Sequence, residues 1–258
     1  MPLDLSSIDL KVERAHKHLL ALFKIQVAYA ESPPPFAVRI DALVSTGLPL
    51  YRLVAVKTPG YREPPAELAL VAGEALHQLR SSLNYIVHQL TGPDADERTR
   101  RKAQYPICRS ADEFAKQKVY IRGVPPRFAS LIELQQPFRR MPDHATDDPL
   151  WHLQALNNTD KHKLLPTVIV SMDVVTATDD GGTAFTVQSD DIVLKHGEPL
   201  FTFTRARPVQ ATLACAPAFA EAMSPHGVTL SIAGLVSGVY CRVCQVIDEF
   251  RAISEPTP

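Results

Sequence analysis

The sequence predicts an α+β fold: a bundle of long N-terminal, middle and C-terminal helices, with an antiparallel β-sheet inserted before the last helix and a small N-terminal hairpin. Three observations predict it. Apolar residues recur at three- and four-residue steps in long stretches, β-branched and alternating residues gather between 165 and 217, and Pro and Gly mark the joins. Ile8, Val12, Ala15, Leu19 and Leu22 define a helix over 6–30, stopped by Ser32-Pro33-Pro34-Pro35. FAVRIDAL at 36–43 and PLYRLVAVK at 49–57, with a turn around Ser45, Thr46 and Gly47, form the hairpin. Pro64 and Pro65 introduce a helix over 65–91 whose core stripe is Leu76, Leu79, Leu83, Ile86, Val87 and Leu90, and Gly92-Pro93 ends it. The stretch 94–147 reads as irregular, with short helices at 110–117 and 125–135. Asp148 as N-cap and Pro149 at the first helical position open a helix over 148–163. PTVIVSMDVV, TAFTVQ, PLFTFTR and VQATLAC, punctuated by Asp179-Asp180-Gly181-Gly182 and Lys195-His196-Gly197, read as one antiparallel sheet. A last helix over 229–252 carries Ile232, Leu235, Val236, Val239, Val243, Val246, Ile247 and Phe250 on one face. Residues 1–258 read as a single domain without internal repeats.

Composition narrows the class. The 258 residues are 45% hydrophobic and 21% charged, enough for a sizeable core. With 27 basic against 28 acidic side chains the chain is not a globally basic nucleic-acid binder, and ten Phe, seven Tyr and one Trp exclude wholesale disorder. No apolar run reaches the roughly 18 residues of a membrane span, and MPLDLSSIDLKVERAHKHLL is too charged for a secretory signal. The expectation is a cytoplasmic protein with no membrane partner. Cys108, Cys215, Cys241 and Cys244 are expected to be reduced thiols. Cys241-Arg242-Val243-Cys244 lies inside a helical pattern and lacks the second pair of a zinc site. A Walker A loop, a G-x-G-x-x-G fingerprint and a G-x-S-x-G elbow are all missing, so no cofactor is expected.

The near-neutral total conceals an asymmetry. From Arg98 to Arg140 there are eleven basic residues, Arg98, Arg100, Arg101 and Lys102 among them, against Asp112, Glu113 and Glu133, so that segment carries +8 and the remainder −9. Clustered Lys and Arg suit an anionic partner such as RNA, because they lower the free energy of a nearby phosphate chain and release its counterions. Tyr105, Phe114, Tyr120, Phe128 and Phe138 are interleaved, as base-stacking surfaces require. The alternative is a solvated segment that pairs with the acidic remainder, its aromatics being local core.

The most informative run is GEALHQLRSSLNYIVH at 73–88. At about 100° per residue, His77, Arg80, Asn84 and His88 share one polar stripe beside the leucine stripe, which either forms a cleft wall or is a wetted helix edge. A second motif, Asn157-Asn158-Thr159-Asp160-Lys161-His162, stands at a helix end, where these residue types also serve as cap and turn. With Tyr105-Pro106-Ile107 and Leu134-Gln135-Gln136-Pro137, these runs resemble a family of uncharacterised bacterial proteins with the pattern G-(D/E)-x-x-H-x-L-R-S-x-L-(D/N)-(H/Y), Y/F-P-I, L-Q-P and N-x-D-K-H, across about residues 66–165. One Gln is extra before Pro137.

In its usual form R-S-x-L-D-H is similar to the R-x(4-6)-H signature of HEPN domains, helical bundles that are often dimeric and include many metal-independent ribonucleases. The resemblance implies that Arg80 holds the scissile phosphate, Asn84 orients it, and a His moves the proton during attack by the ribose 2′-hydroxyl. This chain has Tyr85 where that His should stand, and His88 is eight positions after Arg80. A Tyr of ordinary pKa near 10 is a poor base at neutral pH, which leaves His88, His77 and His162 as proton carriers. Asp160, Lys161 and Asn158, with Arg98, Arg100, Arg101 and Lys102, are the binding candidates. Glu13-x-x-His16 and Glu74-x-x-His77 also match the spacing of di-metal bundles, with Glu133 and Glu249 as further carboxylates and Asp160 and His162 in reserve. Against that, Glu13 and Glu74 point away from the apolar faces of their helices. Three functions stay open: an RNA-engaging HEPN-like bundle, with or without cleavage, for which the resemblance implies a homodimer by analogy; a non-catalytic interaction protein with a buried polar network; and a metal-dependent enzyme.

Overall fold

The computed structural model describes residues 4–30, 33–179, 184–188, 193–204, 209–222 and 230–254. Ser32, the Asp180-Gly181-Gly182 turn and the expected helix start at 229 lie outside the described residues. The fold is α+β, with long N-terminal, middle and C-terminal helices and antiparallel sheets. Where the sequence reads one domain, the chain packs as two compact units. A bundle unit comprises Met1–Leu22, Ala69–Leu165 and Ala233–Pro258, and a sheet unit comprises Phe23–Leu68 and Pro166–Ile232.

In the bundle unit the apolar stripes do what their spacing requires. Helix α1 (Ser6–Ala30) buries Ile8, Ala15, Leu19 and Leu22, and α2 (Ala66–Thr91) buries Leu76, Leu79, Leu83, Ile86 and Val87. Gly92, at φ 71°, ends α2 in the left-handed conformation that favours glycine. The charged stretch beyond it is more regular than expected. Asp96 accepts from Thr99 N–H at 2.9 Å and caps α3 (Glu97–Lys102), which buries nothing and so shows no apolar period. Ser110 caps α4 (Ala111–Gln117), and Pro126 opens α5 (Pro126–Leu134), followed by the single turn α6 (Pro137–Arg140). Asp148 caps α7 (Pro149–Asp160), accepting from Leu150 N–H at 2.8 Å, with Pro149 at the first position. The last helix, α8 (Ile232–Ser254), buries Val236, Val239, Val243, Val246 and Phe250, and Phe250 stacks on Phe128 of α5 at 5.9 Å.

The sheet unit splits the expected single sheet. Strands β1 (Phe36–Leu43) and β2 (Leu50–Lys57) form the hairpin, in register from Phe36↔Lys57 to Leu43↔Leu50. Strands β3 (Thr167–Asp179) and β4 (Ala184–Gln188) pair with each other, and β3 pairs on its other side with β6 (Val209–Phe219). Strand β5 (Pro199–Thr204) instead pairs with β2, extending the hairpin to three strands. Phe36, Leu53, Ala55, Ile169, Leu194 and Leu200 form a common core between the two sheets, which is what anchors β5 beside the hairpin.

Candidate functional site

The polar stripe of α2 is divided among three environments. Its middle is internal. Arg80 is 7% exposed, and its Nη2 donates to the Tyr105 carbonyl at 2.7 Å. One turn on, Asn84 Oδ1 accepts from Tyr105 N–H at 3.1 Å, so the two side chains hold both backbone polar groups of one residue. Gln136, fully buried, continues the seam: Oε1 accepts from Cys108 N–H, and Nε2 donates to the carbonyls of Pro106 and Ile132, each at 2.9 Å. The Tyr-Pro-Ile step and the Gln-Pro step are thereby stitched to the bundle, supplying the partners that buried irregular backbone needs.

Arg80, expected to hold a phosphate, is instead buried against the Tyr105 carbonyl, and half-buried Asn84 commits its Oδ1 to the Tyr105 N–H. Periodicity gives their azimuth on α2, but the backbone of 105–108 lies over that azimuth. Burial lowers the Arg80 guanidinium to about 10, against the opposing pull of Tyr105 and Cys108, and no carboxylate pairs with it among the described residues.

The N-terminal end of the stripe opens into a cleft of about 590 Å³. Helix α2 contributes Gly73, Glu74, His77 and Gln78, α1 contributes Arg14 and His18, and the end of α7 contributes Asp160. The antiparallel course of α1 beside α2 makes this possible: His18 Nδ1 stands 3.1 Å from Glu74 Oε2, and further along Lys11 Nζ lies 4.8 Å from the centre of the Tyr85 ring. Gly73 admits the carboxylate of Asp160, since a Cβ at 73 would stand 2.5 Å from Asp160 Oδ1. Burial pushes the Asp160 carboxyl above its ordinary range, His77 pulls it back, and Glu74 pushes it up again. Two imidazoles, two carboxylates and one guanidinium thus share a concave site. Arg14 pairs with no carboxylate among the described residues.

The C-terminal end of the stripe, His88, lines a groove of about 690 Å³ with Arg100, Arg127 and Phe128. Arg98, Arg101 and Lys102 edge a shallower hollow of about 270 Å³ on α3, where Arg101 Nε pairs with Glu97 at 3.2 Å. Of the N-T-D-K-H motif only Asp160 reaches the cleft. Asn158, Lys161 and His162 are exposed on the last turn of α7 and just beyond, and line neither cavity, so His162 is not placed to share a proton with His77.

Several charges of the basic segment are committed internally. Glu133 pairs with Lys118 at 3.5 Å and Arg139 at 2.6 Å, and buried Asp148 pairs with Arg140 at 2.7 Å. Tyr105, Phe114 and Phe128 are buried, so they are core and not stacking platforms. Of the metal candidates, Glu74, His77 and Asp160 line the cleft, while Glu13, His16, Glu133 and Glu249 are engaged elsewhere. Glu13 pairs with Lys17 at 2.7 Å, His16 packs on Tyr240 at 5.5 Å, and Glu249 accepts from Gln135 Nε2. Among the described residues no group of three or more His, Cys, Asp or Glu is arranged to hold a metal ion. All four cysteines are free thiols, and among the described residues no helix is long and apolar enough to cross a membrane.

Sequence reasoning missed Arg14 and His18. They are spaced i, i+4 on α1, which sets them on one helix face, but nothing local ties that face to α2. Comparison with family models, with curated proteins and with solved structures finds no match to this chain.

Proposed function

We propose that this is a HEPN-like bundle protein that engages RNA and cuts it in the cleft of Arg14, His18, Glu74, His77 and Asp160. One observation carries the reading: His77 and Asp160, 83 residues apart and from two separate motifs, line one cleft together with a second imidazole–carboxylate pair. Imidazole is the side chain suited to both accepting and donating a proton near neutral pH. In this reading His77, held electrostatically by Asp160, takes the proton of the ribose 2′-hydroxyl as the 2′-oxygen forms its bond to phosphorus. His18, oriented by Glu74 at 3.1 Å, gives a proton to the departing 5′-oxygen as the P–O5′ bond breaks. Arg14 faces the charge that builds on the phosphate oxygens. The products are a 2′,3′-cyclic phosphate and a 5′-hydroxyl. The HEPN resemblance here supports the bundle and the class of partner, while the catalytic set is a different one, because Arg80 is occupied by Tyr105.

The experiment is incubation with a single-stranded oligoribonucleotide in the presence of EDTA. Cyclic-phosphate products, reduced by about 10²–10⁴-fold in His77→Asn and His18→Asn, are expected. Binding without cleavage favours the non-catalytic interaction protein, a reading supported by the seam of Arg80, Asn84 and Gln136. Absence of both binding and cleavage overturns the proposal.

A further inference from the structure

At the far end of α2 a second site faces the same way. His77 and His88 are eleven residues apart, which on an α-helix is about 16 Å of rise and a net rotation of only about 20°. The groove at His88 brings together hydrogen-bonding groups from three elements: the imidazole of α2 and the guanidinium groups of Arg100 of α3 and Arg127 of α5, the last 4.6 Å from the Phe128 ring. Neither Arg100 nor Arg127 pairs with a carboxylate among the described residues. Two carboxylates share the groove. Asp4, just before α1, accepts from Ser6 N–H at 3.0 Å through Oδ1, and Asp94 is exposed. The exposed cations Arg98, Arg101 and Lys102 follow on α3. The backbone of 105–108 covers the azimuth between groove and cleft, but on the neighbouring flank of α2 that meets α1 stand Tyr85, 42% exposed, and Lys11 beside its ring, an aromatic and a cation of the kind single strands lie across.

We infer that the groove of His88, Arg100 and Arg127 is a phosphate subsite for single-stranded RNA, engaging the same strand a few nucleotides away from the phosphodiester held in the His77 cleft. This rests on the RNA reading of the cleft for the strand's identity, but the groove binds phosphate whether or not the cleft cuts. A dinucleotide in the cleft is too short to reach the groove, whereas a hexanucleotide spans both.

The test uses the full chain with two substrates: a diribonucleotide, and a hexanucleotide with one ribose at the scissile position and deoxyribose elsewhere. In Arg100→Ala/Arg127→Ala, KM for the hexanucleotide rises at least tenfold with kcat unchanged, and the diribonucleotide is cut as by wild type. Equal effects on both substrates, or none on either, overturn the subsite. Direct binding of a fluorescent all-deoxy hexanucleotide separates this from failure of the cleavage reading. The double variant should lose at least tenfold in affinity and flatten the log–log salt dependence by about one to two, while Asp94→Asn should tighten binding. An unchanged affinity in the double variant, with Asp94→Asn also neutral, overturns the subsite even for a chain that cuts nothing.

Discussion

Replacing Arg80 by Met and by Ala separates its architectural role from a catalytic one. Three terms decide the outcome for Arg80→Met. The variant gives up a charged hydrogen bond to the Tyr105 carbonyl, worth about 1.5–3 kcal/mol. It removes a buried charge whose pKa falls from 12.5 to about 10, a penalty of roughly 3 kcal/mol on the charged form relative to the neutral one. It also removes the Arg80 Nη1 donor, which is buried without a partner in the described structure, and keeps an apolar stem of similar length. These terms nearly cancel, so Arg80→Met should fold within about 1 kcal/mol of wild type. Arg80→Ala loses the packed stem too, and should be less stable by a further 2–3 kcal/mol or so. Urea denaturation followed by circular dichroism measures both, and oligonucleotide cleavage is assayed on the same samples. A stable Arg80→Met that cuts RNA like wild type supports the architectural role. A stable Arg80→Met that has lost cleavage by a hundredfold or more would refute it and return Arg80 to the scissile phosphate.

Three further outcomes follow from the same geometry. Gln136→Ala leaves the buried Cys108 N–H and Pro106 carbonyl unpaired, at about 1–3 kcal/mol each, and should lower the unfolding free energy by about 2–5 kcal/mol while the surviving folded fraction keeps its cleavage rate. Gly73→Ala places a methyl group 2.5 Å from Asp160 Oδ1 and pushes that carboxylate out of the cleft. Because alanine is the better helix former by about 1 kcal/mol, thermal stability should hold or rise while cleavage falls, and retained cleavage would count against Asp160. Alkaline pH should destabilise the fold. Burial pushes the Cys108 thiol from 9.0 to about 12 and the Tyr29 hydroxyl from 10.0 to about 12, and raises Tyr105 as well. The unfolded chain therefore releases these protons first, ν_U falls below ν_N, and stability present below pH 9 is lost between about pH 9 and 12. A flat or rising melting temperature across that window contradicts the assignment.

Much of the fold was legible because it rests on local periodicity. The stripes of α1, α2 and α8 and the Asp148-Pro149 start of α7 follow from residue spacing and cap chemistry alone. Helix α3 was not legible, since ERTRRK buries nothing and its only signal is the Asp96 cap. Strand β5 was misassigned because its pairing with β2 spans about 150 residues, and its partner is chosen by the shared core at Leu53 and Leu200. The candidate site was legible in halves. His77 and Asp160 stood out as polar groups in motifs, and the structure brings them together. Arg80 stood out equally and proved internal, because a helical wheel shows where a side chain points and not what covers it. Arg14 and His18 gave no signal until α1 lay antiparallel to α2.

The central claim is that one strand of RNA lies along α1 and α2 from the His88 groove to the His77 cleft. Amide and imidazole chemical-shift mapping during titration with the non-cleavable hexanucleotide tests it most directly. The account predicts saturable shifts at His77, His18, Tyr85, His88, Arg100 and Arg127, with Arg80 and Asn84 little moved. Shifts confined to other surfaces, or none at stoichiometric oligonucleotide, would contradict it.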